Sequence, residues 1–212
     1  MGNPRLPFVA DATFHIYNHA VGDEDVFRNE DNYNFFMEKI SQWILPFADV
    51  FAYCLMGNHF HLLIRIKGRN ELLNLWADKL KRKKIKLKIK KLPEQSDSYL
   101  LNELMTEQFS HCFNSYVQAY NKMFNRQGTL LKQSFQRRRI DSLEYMIKVI
   151  CYIHNNPVND GFAERSEDWK YSSYNAIASD RKTKVMKDEV IGLFGDRENF
   201  IYVHKQNLGA EI

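Results

Sequence analysis

The sequence predicts an α+β fold: a ferredoxin-like antiparallel sheet with helices packed on one face, carrying an inserted basic segment and C-terminal helices. Three observations lead there. Ala52–Lys67 (AYCLMGNHFHLLIRIK) reads as two apolar runs joined by a tight polar knot, Gly57–Asn58–His59, with the two-residue alternation of strands. The order of elements around it is strand, helix, strand, strand, helix, extended arm, helix. Finally, the 212 residues, 44% of them hydrophobic and 14% aromatic, suffice for one well-buried domain but not comfortably for two.

In chain order, Thr13–Ala20 (TFHIYNHA) has strand composition. Asp31 is the expected N-cap of a helix over Asn32–Ile44, in which Tyr33, Phe36, Met37, Ile40 and Ile44 recur at helical spacing before Pro46. Asp49–Met56 and His59–Lys67 are expected to pair antiparallel across the Gly57–Asn58 turn. From Gly68 to about Glu107 the pattern loosens and reads as an insertion, with a helix starting over Glu71–Leu80. Gln108–Phe124 is a helix with Phe109, Cys112, Phe113, Tyr116, Val117 and Tyr120 on one face. Thr129–Arg139 is a strand or extended arm. Ser142 caps a further helix that Pro157 is expected to end. A turn over Trp169–Tyr174 and helices around Asp188–Phe194 and Glu198–His204 complete the chain, dividing it into a unit of residues 1–175 and a helical extension of 176–212.

Charge and composition narrow the partners. The net charge is +4, but Lys79–Lys91 alone carries nine cationic side chains and no acid, leaving the remainder at about −5. That asymmetry points to a polyanion, with nucleic acid ahead of a membrane surface. Cys54, Cys112 and Cys151 lie in apolar surroundings without metal spacing, and neither a signal-peptide core nor a long apolar run occurs. The expectation is a soluble, cytoplasmic protein with no membrane partner.

The candidate chemistry lies in two stretches. On a strand, His59 and His61 point to one face, where two neutral imidazoles can share a divalent metal. About ninety residues later, CYIHNNPV sets Tyr152 and Asn156 four apart on one helical face. The amide oxygen of Asn156 can complete the metal site, and the Tyr152 phenol can attack phosphorus in a metal-bound phosphodiester, giving a phosphotyrosine ester. His154 projects elsewhere and is expected at the surface. Imidazole ligands alone would also suit zinc.

The sequences GNHFHLL and YIHNNPVNDGF, followed by DWKYSSY, resemble the paired histidine and tyrosine motifs of single-tyrosine HUH transposases, most closely the REP-associated tyrosine transposases. The resemblance covers about Ala12–Tyr174, with Gly57 standing where proline is common. It implies a ferredoxin-like fold, His59 and His61 as metal ligands with Asn156 completing the site, Tyr152 as nucleophile, and magnesium or manganese as the cofactor. It further implies single-stranded, hairpin-forming DNA as the partner, cut to leave a 5′-phosphotyrosine and a 3′-hydroxyl, by a monomer or a homodimer. Arg137, Arg138 and Arg139 are expected to grip phosphates beside the scissile one. Lys81, Arg82, Lys83 and Lys84 are expected to hold a flanking duplex or stem, although a solvated loop explains the lysine run equally well. Phe124 and Tyr174 could stack on bases, with core packing as the competing explanation. Two other readings stay open: a DNA-binding module that does not cleave, and a metal phosphoesterase in which water attacks.

Overall fold

The computed structural model describes residues 2–3, 6–82 and 94–206, with side chains described outside 78–98. Four antiparallel strands, β1 (Thr13–His19), β2 (Ala48–Leu55), β3 (His59–Ile66) and β4 (Gln136–Ile140), form a sheet in the order β2-β3-β1-β4. That is the expected ferredoxin-like arrangement, with β1 and β3 at the centre.

The two faces of the sheet differ in what covers them. Phe60 on β3 packs on Phe36 of α1 (Glu30–Trp43) and on Phe113 of α3 (Glu94–Met123), so these two helices cover the face carrying Phe14, Ile16, Leu62 and Ile64. They form the expected helical cover on one face, and a further helix lies on the other. The opposite face, carrying His59 and His61, receives α4 (Leu143–Asn159). Consequently β3 is buried on both faces for almost its whole length.

Several local expectations change. The N-cap of α1 is Asn29, not Asp31: Asn29 is extended (φ −150°) and its side chain accepts from the Asn32 backbone N–H, while Asp31 lies in the first turn. The region read as a loose insertion contributes α2 (Arg69–Arg82) and the start of α3, which begins at Glu94 rather than Gln108. The arm before the arginines forms strand only from Gln136. Ser142 caps α4 as expected, but Pro157 does not end it. Its missing N–H falls in the last turn, where the Asp160 N–H still reaches the Asn156 carbonyl at 3.0 Å.

The last third of the chain shields β2 and α4. Leu55 N–H donates to Tyr171 O, Ser173 N–H to Tyr53 O and Met186 N–H to Val50 O, so the outer edge of β2 is occupied. After the short α5 (Tyr174–Ala178), α6 (Lys187–Phe194) and α7 (Arg197–Gln206) place Phe194 and Phe200 in the same core as the sheet.

His154, expected at the surface, is fully buried here. The Phe200 carbonyl can only accept, so His204 Nδ1–H donates to it (2.7 Å). His204 Nε2 then accepts from His154 Nδ1 (2.8 Å), and His154 Nε2 accepts from the Ser173 hydroxyl (2.7 Å). Burial lowers the His204 pKa from 6.5 to about 4 and drives that of His154 well below 6.5. A depressed histidine costs nothing above 6.5, where folded and unfolded forms are both neutral. Below it the unfolded chain binds the proton first, so stability is lost as pH falls from about 6.5 towards about 4. Denaturant titrations should therefore show a lower stability at pH 5 than at pH 7.5. In His204→Gln that pH-dependent loss should shrink by about 2 kcal/mol.

Candidate active site on the histidine face

Two sequence-distant segments meet over the centre of the sheet. Tyr152 and Asn156, one turn apart on α4, face His61 and His59, and all four line one cavity of about 280 Å³ together with His15, Tyr17, His19, Arg138 and Asp160. His61 lies 5.5 Å from the Tyr152 ring, centroid to centroid, in an edge arrangement, and 5.1 Å from His59. The structure thus brings these four residues together in one cavity.

Hydrogen bonds assign the lone pairs. His59 Nδ1 lies 2.7 Å from Asn58 Oδ1, an acceptor, so the ring proton sits on Nδ1 and Nε2 carries the lone pair. Nε2 is in turn 2.8 Å from Asn156 Oδ1. Burial lowers the His59 pKa, opposed in part by Asn156 and by the charge of Asp160, so the neutral ring is favoured and two electron-pair donors face one another. Adjacent ligands at 2.0–2.1 Å on an octahedral ion stand about 3 Å apart, so the pair has the spacing of two ligands to one cation. Without a cation, a protonated ring or an amide turned to present its NH2 satisfies the same contact.

His61 is held from behind. Its Nδ1 lies 2.9 Å from His15 Nε2, and the rings stack at 5.0 Å, leaving His61 Nε2 as the nitrogen available to a ligand. Burial drives the His61 pKa well below 6.5 and, with Arg138 adding to the effect, lowers that of His15 to about 3. Both imidazoles are therefore neutral donors at pH 7. His15 Nδ1 is buried without a hydrogen-bond partner. His19 stacks on His59 at 4.7 Å and is lowered to about 4, again chiefly by burial. Among the described residues no three His, Cys, Asp or Glu side chains form a metal-ligand set. The groups that could hold a divalent ion of borderline or hard character are instead two imidazoles and an amide oxygen.

His15, Tyr17, His19, Asn58 and Asp160 were not anticipated. The signal was the alternation His15-x-Tyr17-x-His19 in β1, which puts three rings on one face. Pairing with β3 in the register Tyr17–His61 and His19–His59 brings that face to the site.

The three arginines separate. Arg138 lines the cavity. Arg139 is exposed and paired with Asp141 at 2.7 Å. Arg137 departs from the expected phosphate grip: alternation along β4 turns it to the opposite face, where it is 4% exposed and its guanidinium lies 4.2 Å over the Phe8 ring and 5.5 Å over Phe135. The side chains of Lys81 and Arg82, at the end of α2, lie outside the described ones, as do residues Lys83 and Lys84 altogether. Tyr174 is core, against His154 and Phe200, and Phe124 packs on Tyr120 beneath Arg28. Thermal unfolding should separate the arginines: Arg137→Ala should cost about 1–3 kcal/mol through lost packing on two rings, and Arg139→Ala no more than about 0.5 kcal/mol.

No protein-family model matches the chain. It is 28% identical over 134 residues to a REP-associated tyrosine transposase of Haemophilus influenzae, a match covering 61% of this chain and 60% of that protein. A solved structure of a REP-associated tyrosine transposase bound to a REP hairpin aligns at 12% identity and a TM-score of 0.49, over 83% of this chain and 84% of that one. The family resemblance carried by the histidine and tyrosine motifs is thus matched by a curated relative of that description. No helix among the described residues is long and apolar enough to cross a membrane.

Proposed function

We propose that this chain is a transposase-like DNA-processing enzyme that cuts single-stranded or hairpin DNA with Tyr152 as nucleophile and retains the strand as a 5′-phosphotyrosine ester. The observation that carries this reading is the convergence of Tyr152, His59, His61 and Asn156 in one cavity, from a strand and a helix ninety residues apart in sequence. The sequence similarity to a protein described as a REP-associated tyrosine transposase supports the same reaction class.

In this reading the phenol oxygen of Tyr152 attacks phosphorus, the bond to the 3′ oxygen breaks, and the proton given up by the phenol is balanced by the one taken up by the departing hydroxyl. The ester keeps the energy of the broken bond, so a second 3′-hydroxyl can reverse the step on another end. Arg138, in the cavity wall, is placed to meet the negative charge of the phosphate. His59 Nε2, His61 Nε2 and Asn156 Oδ1 would hold a divalent cation, magnesium or manganese, which when bound supplies Lewis-acid polarisation of a non-bridging phosphate oxygen. His15 keeps His61 in one tautomer and orientation, and Asn58 does so for His59.

The test is a denaturing gel of the full chain incubated with labelled hairpin-bearing single strands plus magnesium or manganese. A covalent protein–DNA band should form that disappears in Tyr152→Phe and on chelation. Cleaved DNA that survives Tyr152→Phe, with no covalent band, would instead mean attack by water. Arg138→Ala should reduce the covalent product by about 10-fold or more, the scale of a lost charge-assisted contact to phosphate.

A further inference from the structure

Asp160 is assigned no part in the chemistry above, yet its carboxylate lines the same cavity. It caps the C-terminus of α4, where its backbone N–H bonds the carbonyls of Asn156 and Val158, and its side chain is partly exposed rather than locked into packing. Oδ2 lies 3.7 Å from His59 Nε2.

Three electron-pair donors therefore meet at one point: the neutral His59 Nε2, Asn156 Oδ1 at 2.8 Å and Asp160 Oδ2 at 3.7 Å. The longer separation exceeds the roughly 3 Å between adjacent ligands of an octahedral ion, but leaves room for one metal-bound water between carboxylate and ion. Chemistry gives such a carboxylate a purpose. Two imidazoles and an amide are all neutral and leave both positive charges of the ion uncompensated. Magnesium and manganese favour oxygen and keep several waters, whereas zinc is content with a nitrogen-rich, four-coordinate shell.

We propose that Asp160 is a positioning carboxylate that holds the water shell of the cation bound by His59, His61 and Asn156, and that it biases the site towards magnesium and manganese over zinc. The inference rests on the metal site proposed above, but not on DNA cleavage. It is tested by titrating manganese and zinc separately into the untagged full chain without DNA, followed by calorimetry and, for manganese, by the paramagnetic resonance signal of the free ion. Asp160→Asn should weaken manganese binding about 10- to 100-fold, the usual effect of losing an outer-sphere partner, and zinc binding by less than about 3-fold. Asp160→Glu should recover part of the manganese affinity, and His59→Ala should lose both metals. Manganese affinity unchanged in Asp160→Asn, with His59→Ala impaired, overturns the role of Asp160 alone. Equal losses of manganese and zinc overturn the selectivity, and unchanged binding in both variants overturns the metal site together with this inference. None of these outcomes depends on whether Tyr152 forms a covalent ester, which the gel reads separately.

Discussion

The burial of α4 against the histidine face of the sheet is the constraint on which the rest depends. From Val149 onward the helix is covered on nearly every side, by β2 and β3 beneath and by α6 and α7 above. A helix so enclosed must satisfy each polar side chain it carries. The consecutive residues His154, Asn155 and Asn156 do this in three directions. His154 joins Ser173 and His204, Asn155 donates to the His204 carbonyl and accepts from Ser166, and Asn156 meets His59. Rotation of the helix by even a fraction of a turn would strand three buried polar groups. The orientation of Tyr152, on the same helix, follows from those bonds.

Much of this was legible in the sequence. His59-x-His61 on an alternating strand and Tyr152 four residues before Asn156 on a helix are local patterns, and local periodicity decides which side chains share a face. The ferredoxin-like sheet followed from the order of elements. What escaped is of two kinds. Pairing of β1 with β3 is a long-range event whose register fixes whether His15, Tyr17 and His19 reach the site, and a strand read alone does not reveal its neighbour. The other kind concerns polarity. His154 and Arg137 looked like surface residues because such side chains are seldom buried, and both are inside for compensating reasons found elsewhere in the chain: the His204–Ser173 pair for one, and the Phe8 and Phe135 rings for the other.

Pro157 shows a third limit, that of a correct rule applied one turn too early. The residue before proline is biased away from the helical region, and Asn156 should on that ground leave the helix. It stays helical because tertiary contact outweighs the local preference: its side chain is tied to His59, while the bond from Asp160 N–H to its carbonyl continues the helix itself. Helical geometry at this residue is what keeps Asn156 in line with Tyr152.

Four imidazoles share the cavity, and their pKa values all shift in the same direction. Burial favours the neutral form of all four, with neighbouring histidines adding to it at His19 and His61 and Arg138 at His15. All four rings are shifted away from the charged form, and positive charge in the cavity wall comes from Arg138. In the proposed function, neutral donors on the sheet, a guanidinium beside them and a phenol on the facing helix would gather a cation and a phosphate, and the β1 and β3 rings would position them.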